Sequence, residues 1–124
     1  MSKKKELSAS KILVDVAVKG LQDLKGENII SIDLRKTENA VCDFFIICSG
    51  TSNTHVNALS KGVQEEVRKT LKDKPWHSEG FGNAEWVLLD YVNVVIHVFQ
   101  EETREFYNVE GLWSDAKFTE YKVA

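Results

Sequence analysis

The sequence predicts an α/β (α+β) fold, a single domain in which a mixed sheet of about four strands carries flanking helices. Three observations support this prediction. Apolar residues recur at helical spacing near the start of the chain, a bulky apolar run ends in the short polar turn Ser49–Ser52, and two more apolar runs lie close together after residue 85. With 124 residues, 43% of them hydrophobic, the chain can fill one ordinary core.

We expect residues 1–124 to form this one domain, with residues 1–7 and 115–124 as flexible tails. The lysines near the N-terminus precede no apolar stretch of signal length. No run approaches the ~18 apolar residues that a membrane-spanning helix needs. The sequence therefore gives no indication of export or of membrane insertion.

The first predicted element is an amphipathic helix between Ser10 and Gly26. Ser10 is a suitable N-cap, and Gly26 is a suitable residue for the helix end. The apolar stripe at helical spacing consists of Ile12, Leu13, Val16, Ala17, Leu21 and Leu24. One face of this helix is therefore expected to pack on the sheet.

A strand from Asn28 to Leu34 follows, because this segment is short and rich in β-branched residues. The apolar run after Cys42 predicts a second strand, which passes through the turn Ser49–Ser52 into a second helix. That helix has its apolar stripe at Val56, Leu59, Val63, Val67 and Leu71. We expect Lys74-Pro75 to end it, since the residue before a proline avoids the helical region.

The second half begins with a glycine-rich loop after Pro75. The runs "WVLLDY" and "VVIHVF" are separated by so few residues that they predict an antiparallel hairpin. Two short helices, "EETREFYN" and "GLWSDAKF", complete the prediction. Their expected apolar packing contacts are Phe106, Tyr107, Leu112 and Trp113.

The net charge of −3 argues against direct binding to nucleic acid, since that mode depends on clustered lysine and arginine. Between Glu101 and Glu120 the chain has six carboxylates against only Arg104 and Lys117. Such an acidic segment suits a basic protein partner. A merely solvated face explains the same charges equally well.

The turn at Ser49–Ser52 has two explanations. A strand that ends in Ser-Gly and enters a helix presents free backbone N–H groups, which can hold a phosphate. Alternatively, Ser52 is only the helix N-cap and Gly50 only permits the turn, and we favour this structural explanation.

A nucleotidyl-transferring enzyme also needs closely spaced carboxylates for magnesium. No acidic residue is followed two positions later by another, and only the isolated Asp43 and Asp90 remain as candidates. His55, His77 and His97 are dispersed and form no metal-ligand spacing. We therefore predict no catalytic residues, no metal and no cofactor.

Two segments, "DFFIICSGTSNTHV" and "EWVLLDYVNVVIHVFQEETREFYNVEGLW", carry a resemblance to a known family. With the spacing between them, they resemble the ribosomal silencing factor family, also called the Iojap-like family, over roughly Leu7 to Trp113. The matching positions are Asp43-Phe44, Ser49-Gly50-Thr51-Ser52 with His55, Glu79-Gly80, Trp86 to Asp90, His97-Val98, Arg104, Tyr107 and Leu112-Trp113.

This resemblance implies a binding protein. Family members dock on the large ribosomal subunit through its ribosomal protein fourteen, at the face that meets the small subunit. They thereby block subunit joining and silence translation when nutrients are scarce. The resemblance also implies a nucleotidyltransferase-like fold without the catalytic carboxylates. Organellar relatives carry a targeting extension, whereas this chain starts almost directly on its first predicted helix. We therefore expect it in the bacterial cytoplasm.

We expect the docking surface on the hairpin and the acidic turn after it. Trp86 and Leu88 lie on one side of their predicted strand and can form an exposed apolar anchor, although a core position for Trp86 is equally compatible with the sequence. Arg104 is expected to orient the neighbouring carboxylates. The expected partner-binding residues are Trp86, Leu88, Asp90, Tyr91, His97, Glu101, Glu102, Arg104 and Tyr107.

Two other hypotheses stay open at this point. One is a residual nucleotide-binding or nucleotidyl-transferring enzyme, which requires two carboxylates facing the turn at Ser49 and Gly50. The other is a small homodimeric interaction module.

Overall fold

The computed structural model describes residues 2–122 of the chain, with side chains described from residue 9 onward. In chain order, the elements are α1 (Ser2–Asp23), β1 (Glu27–Asp33), β2 (Phe44–Gly50), α2 (Asn53–Leu71), β3 (His77–Glu79), β4 (Trp86–Asp90), β5 (Val94–Gln100), α3 (Glu101–Tyr107), a 3₁₀ helix (Val109–Trp113) and β6 (Lys117–Tyr121). None of the helices in the described part is long and apolar enough to cross a membrane.

The strands form one mixed sheet in the order β3-β4-β5-β2-β1-β6. Among the described residues, the central pair β2 and β5 is parallel, and the other neighbouring pairs are antiparallel. The predicted α+β class and the β4–β5 hairpin are therefore confirmed. The sheet has six strands instead of about four, because two short edge strands have no apolar alternation in their sequences. Strand β3 has three exposed residues, and the residues of β6 are exposed up to the half-buried Tyr121.

Residues 117–121, which were expected to belong to a flexible tail, instead form strand β6. Its residues pair with β1 in an antiparallel register from Ile29↔Tyr121 to Asp33↔Lys117. At the other end of the chain, helix α1 begins at Ser2, within the segment expected as a tail. Met1, Val123 and Ala124 lie outside the described residues.

Helices α1 and α2 pack side by side against one face of the sheet. Side chains that alternate along each strand supply the sheet's part of this core, which includes Phe44, Ile46 and Cys48 of β2. The helices contribute Leu13, Val14, Ala17, Val18, Leu21, Val56, Leu59, Val63 and Val67. The predicted stripe of α2 is confirmed at its first four positions. That of α1 is shifted, since Ile12 and Leu24 are exposed whereas Val14 and Val18 are buried.

The ends of the helices differ from the prediction. Ser10 lies inside α1, not at its start, and its Oγ donates a hydrogen bond to Asp43 Oδ2 at 2.7 Å. Lys25, with φ of 64°, takes the left-handed position after α1, and the Gly26 N–H bonds the Leu21 carbonyl at 2.8 Å. Helix α2 ends at Leu71 before another left-handed lysine, Lys72, and so stops short of Lys74-Pro75.

The turn between β2 and α2 is held by its own side chains. Ser52 is the N-cap of α2, and its Oγ accepts the His55 backbone N–H at 3.1 Å, as the structural explanation predicted. The Thr51 N–H donates to His55 Nδ1 at 2.9 Å, so His55 Nε2 carries the proton that reaches the Leu24 carbonyl at 2.9 Å. A Cβ on Gly50 would lie 2.9 Å from a methyl of Val56. The turn therefore ties α2 to the end of α1.

Candidate partner-docking surface

The second face of the sheet, opposite α1 and α2, carries its own apolar cluster. Its buried members are Ile30, Ile32, Leu34, Phe45, Ile47, Val95, Phe99 and Val109, and Trp86, Leu88 and Trp113 are half-buried against them. Within residues 2–122, this face is covered by the short helix α3 and the 3₁₀ helix instead of by a long helix. Apolar side chains at its margin consequently remain accessible.

Trp86 and His97 form a hydrogen bond on this face. They lie on the neighbouring strands β4 and β5, and the indole Nε1–H donates to His97 Nδ1 at 3.1 Å. Because Nδ1 accepts, the neutral imidazole carries its proton on Nε2. The indole also lies 4.9 Å from the Phe99 ring and 5.0 Å from the Tyr107 ring, measured between centroids. Trp86 is thus fixed in the surface from three directions.

His97 itself is buried, with 4% of its surface exposed. The Phe45 ring meets it edge-on at 4.8 Å, and the Phe99 ring stacks at 6.0 Å with an angle of 12° between the planes. Burial among these groups lowers the pKa of His97 from 6.5 to about 4. Its Nε2 finds no hydrogen-bond partner within the described part of the chain. His97 is therefore neutral at neutral pH and lies beneath the surface.

The accessible margin of this face is aromatic. Phe106, Tyr107 and Leu112 are exposed by 80%, 54% and 75%, and the Phe106 and Tyr107 rings meet edge-on at 5.0 Å. Trp86 and Leu88 project from the same side of β4, beside a shallow depression of about 320 Å³ that they line with Glu79 and Gly80. We call Trp86, Leu88, Phe106 and Tyr107 the aromatic margin.

Arg104 anchors helix α3 to the sheet. It is only 7% exposed, and its Nη1 donates to the Asn28 carbonyl and to Ser49 Oγ, each at 2.8 Å. Its Nη2 pairs with Glu110 Oε2 at 2.9 Å. Ser49 Oγ in turn donates to Glu101 Oε2 at 3.2 Å. One guanidinium therefore joins β1, β2, α3 and the 3₁₀ helix.

The expected role of Arg104 is corrected for Glu102 and Glu105, whereas Glu101 is linked to it through Ser49. Its ion-pair partner is Glu110, whereas Glu102 and Glu105 stay exposed. The left-handed residue Asn108, with φ of 45°, ends α3 and turns the chain so that the 3₁₀ helix brings Glu110 back to the guanidinium. Sequence distance alone favoured the nearer carboxylates. The sequence feature that points to Glu110 is the asparagine between the two short helices, because asparagine tolerates the left-handed conformation that turns the chain there.

The structure brings most of the predicted docking residues together but separates two of them. Trp86, Leu88, His97, Glu101, Arg104 and Tyr107 lie on or beneath the second face, and Glu102 is exposed at the start of α3. Tyr91 is instead buried in the core beneath α1 and α2, where burial raises its pKa to about 12. Asp90 holds the hairpin turn through its Oδ1, which accepts the Val92 N–H at 2.8 Å.

Phe106 and Leu112 were expected as packing contacts, but both are exposed. Both lie on helices of seven and five residues, which are too short to show a reliable apolar stripe. The exposure of these two side chains extends the apolar part of the surface beyond the hairpin.

The two isolated acids do not face the turn after β2. Asp43 directly precedes β2, whereas Ser49 and Gly50 end it, about 20 Å away for a strand of this length. Asp90 pairs with Val95, which pairs with Phe45, so Asp90 also lies near the start of β2. Among the described residues, no group of three or more histidines, cysteines or carboxylates is placed to hold a metal ion.

The chain is similar to known proteins in both sequence and fold. The model of a family described as "Ribosomal silencing factor during starvation" matches residues 7–123. The ribosomal silencing factor RsfS of Halalkalibacterium halodurans is 37% identical over 111 residues, which are 87% of this chain and 91% of that protein. RsfS of Bacillus subtilis is 35% identical, with 86% and 88% covered. A crystal structure of a Chromobacterium violaceum protein, 33% identical, superposes with a TM-score of 0.79 and covers 92% of this chain and 94% of its own.

Replacing Arg104 with methionine should destabilise the protein by about 2–3 kcal/mol, because Glu110, Ser49 Oγ and the Asn28 carbonyl lose their shared donor. Urea unfolding measures the loss. Arg68→Met is the matched control, since its ion pair with Glu65 is exposed and its removal should leave the midpoint nearly unchanged. Equal midpoints for the Arg104→Met and wild-type proteins would contradict the anchoring role.

The buried His97 should make stability depend on pH. Its pKa is about 4 in the folded protein and near 6.5 when unfolded, so between these values the unfolded chain binds more protons. The free energy of unfolding should fall as pH drops from 6.5 to 4, by up to roughly 3 kcal/mol. Denaturant titrations at several pH values measure this slope. His97→Leu should flatten it, and an unchanged slope in that variant would assign the effect to other groups.

Proposed function

Since this chain belongs to the ribosomal silencing factor family, we propose that it is a translational repressor that binds the large ribosomal subunit and blocks the joining of the small one. Its contact is ribosomal protein fourteen of the large subunit, and it acts when nutrients are scarce. It works in the cytoplasm by occupying a surface and catalyses no reaction. The single observation that carries this proposal is the aromatic margin, in a chain that matches the family along residues 7–123.

The aromatic margin has the composition of a protein-binding surface. Tryptophan and tyrosine are enriched among the residues that dominate binding energy, particularly where they meet apolar neighbours. Trp86 is half-buried against the sheet, while Phe106 and Tyr107 present most of their surface to solvent. Exposed apolar side chains that adjoin one another, with charged groups beside them, are typical of interfaces.

Charges beside the margin favour a basic protein over bare RNA. Glu102 and Glu105 are exposed on α3, next to Phe106, and the whole chain has a net charge of −3. Phosphate groups of ribosomal RNA repel such a surface, whereas a basic ribosomal protein attracts it. The carboxylates thus select the protein component of the subunit and steer the approach to it.

A binding role also agrees with the position of the acids. An enzyme of the nucleotidyl-transferring type would need a carboxylate pair at the end of β2, where Asp43 and Asp90 do not lie. Of the carboxylates near this end, Glu101 accepts a hydrogen bond from Ser49, and Glu110 is paired with Arg104.

We expect the protein to co-sediment with purified large subunits and not with small subunits. Added before mixing, it should also reduce the light scattering that accompanies subunit association. Large subunits depleted of protein fourteen should lose the interaction. Recovery with small subunits alone, or with neither subunit, would contradict the proposal.

Trp86→Ala should weaken binding to large subunits by about 2 kcal/mol or more, mainly through faster dissociation, because it removes the central apolar anchor. The matched control is Trp76→Ala, which removes an exposed tryptophan at the β3 edge of the sheet. Surface plasmon resonance gives both rates, and thermal unfolding of the free proteins separates lost stability from lost contact. Equal losses for Trp76→Ala and Trp86→Ala would exclude the margin as the anchor.

Reversing the charges of Glu102 and Glu105 to lysine should slow association and reduce its dependence on salt, because charges beside an interface steer the encounter. Glu101 is left unchanged, since its carboxylate also supports Ser49. Asp15→Lys with Glu65→Lys changes the net charge equally on the helical face and is the control. An identical effect of both pairs on the association rate would show that only total charge matters.

A further inference from the structure

His97 and Trp86 are diagonal neighbours across two antiparallel strands. Directly opposite positions pair Trp86 with Phe99 and Leu88 with His97, so the indole must lean along the sheet to reach the imidazole. It does so with its Nε1–H, which donates to His97 Nδ1 at 3.1 Å. The contact therefore fixes which way the indole points as well as where it lies.

Packing alone does not explain why a histidine occupies position 97. Val95 and Phe99 flank His97 on the same face of β5, and both fill the cluster with apolar groups. A buried polar ring loses its hydration, and Nε2 recovers no hydrogen bond from the described residues. The bond from Trp86 is the interaction that distinguishes histidine from an apolar side chain of similar size at this position.

We propose that His97 is a positioning residue, whose Nδ1 holds the Trp86 indole in the orientation that docks on the large subunit. This inference rests on the proposed function. His97 is 4% exposed, so it lies beneath the surface and acts through Trp86 instead of touching the partner. An indole already fixed in its docking orientation loses less conformational freedom on binding than a mobile one.

Three substitutions separate this role from simple packing. His97→Leu keeps an apolar side chain of similar size and removes the acceptor, whereas His97→Gln supplies an amide oxygen that can accept the indole N–H. Trp86→Phe removes the donor and keeps an aromatic ring. His77→Leu, at an exposed histidine on β3, is the control for loss of an imidazole.

Binding to purified large subunits should weaken about tenfold for His97→Leu, mainly through faster dissociation. His97→Gln should recover most of the affinity, and His77→Leu should bind as the wild type does. In a Trp86→Phe background, His97→Leu should cause no further loss, because the hydrogen bond is already absent. In ¹⁵N-labelled free protein, the Trp86 indole N–H resonance should shift and exchange faster with solvent in His97→Leu only.

The outcomes distinguish this inference from the proposed function. If the wild type binds large subunits and His97→Leu binds equally well, His97 does not position the anchor, and the function stands. An equal loss from His97→Leu in the wild-type and Trp86→Phe backgrounds would overturn the inference in favour of general packing. If the wild type does not bind large subunits, the proposed function fails, and the inference with it. Should His97→Leu fold poorly, His97→Gln and Trp86→Phe still provide the comparison.

Discussion

The buried guanidinium of Arg104 is the constraint on which the outer surface depends. Helix α3 has only seven residues and forms few contacts with the sheet by itself. Short helices are marginal in water unless tertiary contacts hold them. Arg104 supplies such contacts, because it reaches the Asn28 carbonyl on β1, Ser49 Oγ on β2 and the carboxylate of Glu110. Five donors in one plane suit this task better than a lysine ammonium would. Phe106 and Tyr107 are exposed beside the sheet because Arg104 holds their helix against it.

The two faces of the sheet are covered by different means, and this difference leaves the aromatic margin exposed on one of them. Helices of 22 and 19 residues seal one face, so even Tyr91 is buried there. The opposite face is covered by a short helix and a 3₁₀ helix, which leave half-buried aromatic groups at its margin. Trp86 shows this difference, since its ring packs on Phe99 while the side chain is only half-buried.

Sequence patterns were sufficient where periodicity and spacing are local. The β4–β5 hairpin, the Ser52 cap and the stripe of α2 were predicted because each depends on neighbouring residues. Strand β6 could not be predicted, since its pairing with β1 crosses most of the chain. The Arg104–Glu110 pair was missed because it depends on the left-handed Asn108 between two short helices. Most of the predicted docking residues lie together, while Tyr91 lies apart from them because strand alternation places it on the side of α1 and α2.

The junction between β2 and α2 is a strand-to-helix turn of the kind that can bind an anion. Its polar groups instead form hydrogen bonds within the protein. On one side of the turn, the Thr51 N–H donates to His55 and the Ser52 side chain caps α2. On the other side, Ser49 accepts from Arg104 and donates to Glu101. The hydroxyl that ends β2 thus links the central strand to the helix that carries the aromatic margin. Arg104 and Glu101 thus use both the acceptor and the donor of the Ser49 hydroxyl. In this chain, a strand end of the kind that can hold a phosphate instead supports the helix that carries the aromatic margin.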